Sequence, residues 1–112
     1  MKNPKNRTFT RYAAEAAELL GVLIRSERIS RKMSVLELAA RAGVSRGLVQ
    51  RIEKGELSCS IGVVFELAAI VGLPLFDADN RKLGDELHTR KHILSLLPQK
   101  VKLRKLVVND DF

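Results

Sequence analysis

The sequence predicts an all-α fold of about five helices with a short C-terminal β-strand arm, and three observations carry that expectation. Hydrophobic residues make up 46% of the chain, aromatics only 4%, and tryptophan is absent, so Leu, Val, Ile and Ala must fill the interior. That mixture favours packed helices over a sandwich rich in aromatic and β-branched residues. Apolar residues recur at spacings of three and four along most of the chain, which is the period of a helix face. Residues suited to starting a helix stand before those stretches, and Gly or Pro stands after them. With 112 residues the chain can bury one core, which argues against a second independent domain.

Residues 1–11 carry Lys2, Lys5, Arg7 and Arg11 among Asn, Thr and Pro4 with no hydrophobic period, the composition of a mobile basic arm. Residues 12–76 form the expected compact domain. Its first helix runs from Tyr12 to about Arg31 and aligns Ala13, Ala17, Leu20, Ile24 and Arg28 on one face, so one polar residue points inward. Ser34-Val-Leu-Glu37 matches a capping box, in which the Ser and Glu side chains satisfy backbone donors reciprocally. The second helix begins there and continues to Ala42, where Gly43 closes it. Ser45 caps a third helix that ends at Gly55, residues 57–60 connect, and Ile61 to Val71 is a fourth, terminated by Gly72 and Pro74. In residues 77–112, Asp77 or Asp79 caps a helix with Leu83, Leu87, Leu94 and Leu97 along one stripe, and Pro98 stops it. The partial alternation of Val101-Lys-Leu-Arg-Lys-Leu-Val-Val108 suits a strand, and the chain ends on acidic Asp110-Asp111-Phe112.

A formal net charge of +7 points to a polyanionic partner, because fixed positive charge concentrates phosphate around the chain. Cys59 is the one cysteine, which excludes a disulfide framework and a multi-cysteine zinc site and fits a reducing compartment. Glu15 and Glu18 interrupt the first apolar stretch, and no uncharged run approaches the ~20 residues that span a bilayer, so a cytoplasmic chain without a membrane segment is expected. His88 and His92 lie four apart with Asp85 on the same helix face, an arrangement that is usually solvated rather than metal-bound. No Ser-His-Asp set, phosphate-cradling glycine loop or paired-carboxylate cleft stands out, so neither an enzyme nor a cofactor is expected.

The spacing of Leu38-Ala39, Gly43-Val44-Ser45, Val49 and Ile52 is what two helices need to cross steeply over a short turn. A small residue at Ala39 admits the crossing helix, Gly43 makes the turn, and Leu38, Val44, Val49 and Ile52 supply apolar contact, which together define a helix-turn-helix. The stretch from Leu20 to Leu75 closely resembles the phage-repressor-like, or XRE-type, helix-turn-helix family. The residues that carry the likeness are Leu20-Gly21, Ile24-Arg25, Arg28, the run Ser34 to Ser45, and Val49-Gln-Arg-Ile-Glu-Lys-Gly55. The resemblance implies a recognition helix in the major groove of DNA, with Ser45, Arg46, Gly47, Gln50 and Arg51 at the base-reading positions. The Arg46 and Arg51 guanidinium forks match the O6 and N7 acceptors of guanine, and Gln50 matches adenine. Ser34 and Val35 at the start of helix two, with Arg41 and Lys54, are the phosphate candidates. The likeness also places Arg28 against Glu53, a pair whose expected role is to fix the angle of the recognition helix.

Two positions depart from the family pattern. Its common glutamine at the start of helix two, which helps hold a phosphate, is Val35 here. Gly47 sits inside the recognition helix at a cost of roughly 0.8–1.0 kcal/mol against alanine; either it lets the backbone approach DNA closely or it is merely tolerated. Over the whole chain, the basic extension, the long first helix and the tail with Leu97-Pro98 and Asp110-Asp111-Phe112 resemble HipB-type antitoxins. That likeness implies repression of the chain's own operon and binding of a HipA-type serine/threonine kinase toxin, whole or split between chains. A stand-alone phage-type repressor and an interaction module that does not bind DNA are the alternatives. A solitary strand leaves a row of unpaired backbone groups, so Val101, Leu103, Leu106, Val107 and Val108 are expected to pair with a second copy in a homodimer that reads a palindromic operator. The alternative is that this segment is ordered only by a partner.

Overall fold

The computed structural model describes residues 8–99. The chain divides after Asp77 into two units. The first holds four helices, α1 (Arg11–Ser30), α2 (Val35–Ala42), α3 (Arg46–Glu53) and α4 (Ile61–Val71), and the second holds α5 (Asn80–Ser95). Among the described residues there is no strand.

Each boundary has a local cause. Thr10 Oγ1 accepts from the Ala13 N–H at 3.1 Å, which starts α1 at Arg11 and takes that residue out of the arm expected over 1–11. Ser34 Oγ accepts from the Glu37 N–H at 3.0 Å. The Glu37 carboxylate, however, accepts from Arg41 Nη2 at 2.7 Å rather than reaching back to Ser34. Half of the expected capping box therefore forms, because a guanidinium one turn away is a stronger partner than a neutral backbone N–H. Gly43 then adopts the left-handed conformation, φ 70° and ψ 33°, and the next N–H, from Val44, returns to the Ala39 carbonyl at 3.0 Å. This is the tight closure that glycine permits. Two residues later Ser45 Oγ accepts from the Leu48 N–H at 3.1 Å and opens α3.

The core of the first unit draws on every one of its helices. Ile24 of α1, Leu38 of α2, Val49 of α3, and Leu67 and Val71 of α4 are fully buried, each contributing about 1.5–3 kcal/mol relative to exposure. Ala39, buried at 2% exposure, keeps α2 small where α3 and α4 meet it. Gly21 has a different cause. A Cβ there would lie 2.5 Å from the Ile52 carbonyl oxygen and 2.6 Å from that of Glu53, so only glycine lets α1 approach the end of α3 this closely.

In the second unit, Asp79 rather than Asp77 caps α5, its carboxylate accepting from the Lys82 N–H at 2.9 Å. The helix stops at Ser95 with Leu96 as its cap, so Leu97 lies beyond the helical stripe on which the sequence places it. None of the α5 residues is buried. The strand expected over 101–108, with Val101, Leu103, Leu106, Val107 and Val108, and the first seven residues of the basic arm lie outside the described residues.

The inward polar residue of α1 meets its partner. Arg28 Nε donates to Glu53 Oε2 at 2.7 Å and Nη2 donates to Oε1 at 3.0 Å, while Nη1 donates to the Met33 carbonyl at 2.9 Å. Both side chains are about nine-tenths buried or more, at 10% and 6% exposure. Removing one partner leaves a buried charge unpaired, which costs ~3–5 kcal/mol, whereas an apolar pair of similar volume is often neutral. We therefore expect Arg28→Met to destabilise by that amount in urea denaturation, and Arg28→Met with Glu53→Leu to recover most of the loss. Additive losses in this cycle would show that the two residues do not act as a unit.

Candidate nucleic-acid interface

The burial pattern of α3 divides its residues by side. Val49, Ile52 and Glu53 face the core, while Ser45, Arg46, Gln50, Arg51 and Lys54 are exposed and Gly47 is half-buried. Positions 46, 50 and 54 follow one another at helical spacing, with 47 and 51 beside them, so the exposed set forms a single polar surface.

The cations on that surface are not equivalent. Arg46 and Lys54 have no carboxylate partner among the described residues, whereas Arg51 Nε lies 3.6 Å from Glu56 Oε1. Both members of the Arg51–Glu56 pair are roughly half exposed, at 53% and 43%, and such surface pairs contribute ~0.2–1 kcal/mol. A bidentate guanine contact is worth ~1–3 kcal/mol, so Glu56 does not prevent Arg51 from turning to a base. Cys59 sits beside the same pair. Burial pushes its thiol up, the Glu56 carboxylate adds to the shift, and Arg51 opposes both.

Where α1, the start of α2 and α3 meet, an open cleft of about 260 Å³ is lined by Arg25, Arg28, Val35, Gln50, Glu53 and Lys54. Arg28 and Glu53 satisfy each other there. Arg25 and Lys54 remain as cations with no carboxylate partner among the described residues. The structure thus brings Val35, Gln50 and Lys54 together, as backbone and side-chain donors able to meet a phosphate. Arg41, bound to Glu37 at 2.7 Å, does not line this cleft. Ser34 spends its oxygen on the α2 cap. Arg25 is a residue that sequence reasoning missed; its signal was its place three residues before Arg28, one turn along the same side of α1.

Among the described residues, no group of three or more His, Cys, Asp or Glu is placed to hold a metal ion. No helix among them is long and apolar enough to cross a membrane. Compared with known families, residues 24–77 match the family described as helix-turn-helix, a family of DNA-binding regulators. No curated protein and no solved structure matches the chain.

Gly47 gains meaning from its surroundings. A Cβ there would find only Arg51 Nη1 at 3.8 Å and Ser45 Oγ at 4.0 Å among the described residues, so none of them requires a glycine. Gly47 is the second residue of α3, so the helix-interior preference for alanine over glycine, roughly 0.8–1.0 kcal/mol, is an upper bound there. Gly47→Ala should therefore raise the unfolding free energy in urea, by no more than that amount. A loss of stability instead would reveal a packing constraint that the geometry does not contain.

Proposed function

We propose that the chain is a sequence-specific, DNA-binding transcriptional repressor of the cytoplasm, which reads a palindromic operator as a homodimer through α3. The observation that carries this reading is the exposed surface of α3, bearing Ser45, Arg46, Gly47, Gln50 and Arg51, next to a cleft with two uncommitted cations. That surface has the composition of a major-groove reader, with two guanidinium forks and one amide. The glycine at 47 has no packing role among the described residues, and a missing side chain there brings the α3 backbone within reach of a base edge or sugar. The cleft supplies the phosphate clamp. Val35 offers only its backbone N–H, so Arg25 and Lys54 carry the charge that neutralises the DNA backbone and fix the register of α3. The net charge of +7 adds long-range steering. The helix-turn-helix match over residues 24–77 supports the same reading.

Two partners complete the proposal. A second copy, paired through Val101, Leu103, Leu106, Val107 and Val108 as a two-fold strand ribbon, sets two α3 helices about one DNA turn apart, ~34–36 Å. A HipA-type serine/threonine kinase is the proposed protein partner, on the strength of the whole-chain resemblance to HipB-type antitoxins, and co-purification with such a kinase tests it.

Selection of binding sites from a pool of random duplexes, followed by titration of variants on the selected site, tests the central reading. We expect an enriched inverted repeat. Arg46→Ala and Arg51→Ala should each cost ~1–3 kcal/mol on that site and relax discrimination at one base position. Arg25→Ala and Lys54→Ala should instead weaken all duplexes alike and lower the salt slope by about 1 each. No enrichment, or arginine variants that lower specific and nonspecific affinity by the same factor, would contradict the reading.

A further inference from the structure

The turn that ends α3 sets a carboxylate beside a base-reading arginine. Gly55 takes a left-handed conformation, φ 84°, and the Glu56 N–H returns to the Arg51 carbonyl at 3.0 Å. A Cβ at 55 would lie 2.7 Å from the Glu18 Cα of α1, so the turn is held from outside as well as by its own hydrogen bond. The Glu56 side chain therefore starts from a fixed point. Ser58 holds its other end: Oγ donates to Glu56 Oε2 at 2.7 Å, and the remaining oxygen, Oε1, stands 3.6 Å from Arg51 Nε. Nη1 of the same guanidinium comes within 3.8 Å of where a Gly47 Cβ would be, so the fork lies back along α3, over the position that carries no side chain.

We propose that Glu56 is a specificity-determining residue of the α3 surface: it holds Arg51 by Nε, keeping the Nη1 and Nη2 end for guanine and withholding the side chain from phosphate. The donor inventory of arginine allows both contacts at once. A guanine takes two N–H groups, at O6 and N7, and an end-on fork supplies them from Nη1 and Nη2, so Nε stays with Glu56 and the ion pair survives in the specific complex. A phosphate contact is different. Arg51 stands among the base-reading positions, so reaching the DNA backbone means leaving Glu56, and the abandoned carboxylate then faces a polyanion that repels it. The penalty falls on nonspecific complexes, which is how a repulsive element raises discrimination without adding a contact to the correct site. Exposed ion pairs shift equilibria by a few-fold at most, so Arg51 supplies the base preference and Glu56 sharpens it. Glu56 is thus a positioning residue that acts through Arg51.

This inference rests on the DNA-binding reading above, and one set of titrations distinguishes its failure from the failure of that reading. The full-length chain and its variants are titrated on the duplex selected from the random pool, on the same duplex with adenine in place of the guanine at which Arg51→Ala loses discrimination, and on an unrelated duplex. Glu56→Gln should tighten binding to the unrelated duplex about two- to fivefold and lower the preference for guanine over adenine by a similar factor. In an Arg51→Ala background the same substitution should leave that preference unchanged, because the route through Arg51 is gone. Glu15→Gln makes the same change of charge at the Arg11–Glu15 pair of α1 and should also leave it unchanged. The proposal is overturned by a guanine preference that stays constant or rises in Glu56→Gln, by an equal loss in Glu15→Gln, by a loss that persists without Arg51, or by the absence of any guanine that Arg51→Ala ceases to discriminate. A wild-type chain that selects no sequence overturns the DNA-binding reading and this inference together, whereas one that selects a site while Glu56→Gln keeps its full guanine preference overturns the inference alone.

Discussion

One guanidinium ties three segments of the first unit together. Arg28 projects from α1, grips both oxygens of Glu53 at the end of α3, and closes on the Met33 carbonyl in the turn before α2. Its five N–H donors form a rigid fork, so the contact fixes an angle as well as a distance. A buried ion pair is weak evidence for net stability, because desolvation offsets much of the attraction. Orientation is the better account of it here. Gly21 enforces the same arrangement sterically, since α1 sits so close to the Ile52 and Glu53 carbonyls that no side chain fits between them. The two devices act seven residues apart on α1, and between them α3 has one position available.

That rigidity determines what the exposed side of α3 can do. Ion pairs within the unit occupy Arg11, Arg31 and Arg41, each facing a glutamate one turn away, and Arg28 is consumed by Glu53. Arg25, Lys32, Arg46 and Lys54 have no carboxylate partner among the described residues of the unit, and three of these four, Arg25, Arg46 and Lys54, lie on α3 or on the cleft beside it. Pairing thus leaves most of the unit's unpaired charge beside α3, with Lys32 in the turn before α2 as the exception. A surface arginine bound to a neighbouring carboxylate offers less to a polyanion than one with no partner, which is why Arg41 is a weaker phosphate candidate than Arg25.

Much of the first unit was legible in the sequence because its signals are local. Ser34, Ser45 and Gly43 start and stop helices through contacts within a few residues, and the period of three and four marks Ile24, Leu38, Val49 and Leu67 as inward. What stayed hidden depended on competition or on distance along the chain. The Glu37 carboxylate had two possible partners, and the sequence does not rank Arg41 above the Ser34 backbone. The role of Gly21 is invisible until α3 is set against α1, since only the meeting of residues about thirty apart reveals the missing space. Arg25 likewise became a candidate only when the start of α2 and Lys54 were placed beside it. At α5 the leucine stripe suggested a helix through Leu97, but the cap at Leu96 ended it before Pro98 could.

The central claim is that α3, held by Arg28 and Glu53, is the surface that enters DNA. Backbone amide resonances of the full chain, followed during titration with a duplex selected from a random pool, test it most directly. The account predicts large shifts at Ser45 to Lys54, at Val35 and at Arg25, with the amides of α4 unmoved. Shifts concentrated on α4 or α5 with α3 silent would contradict it.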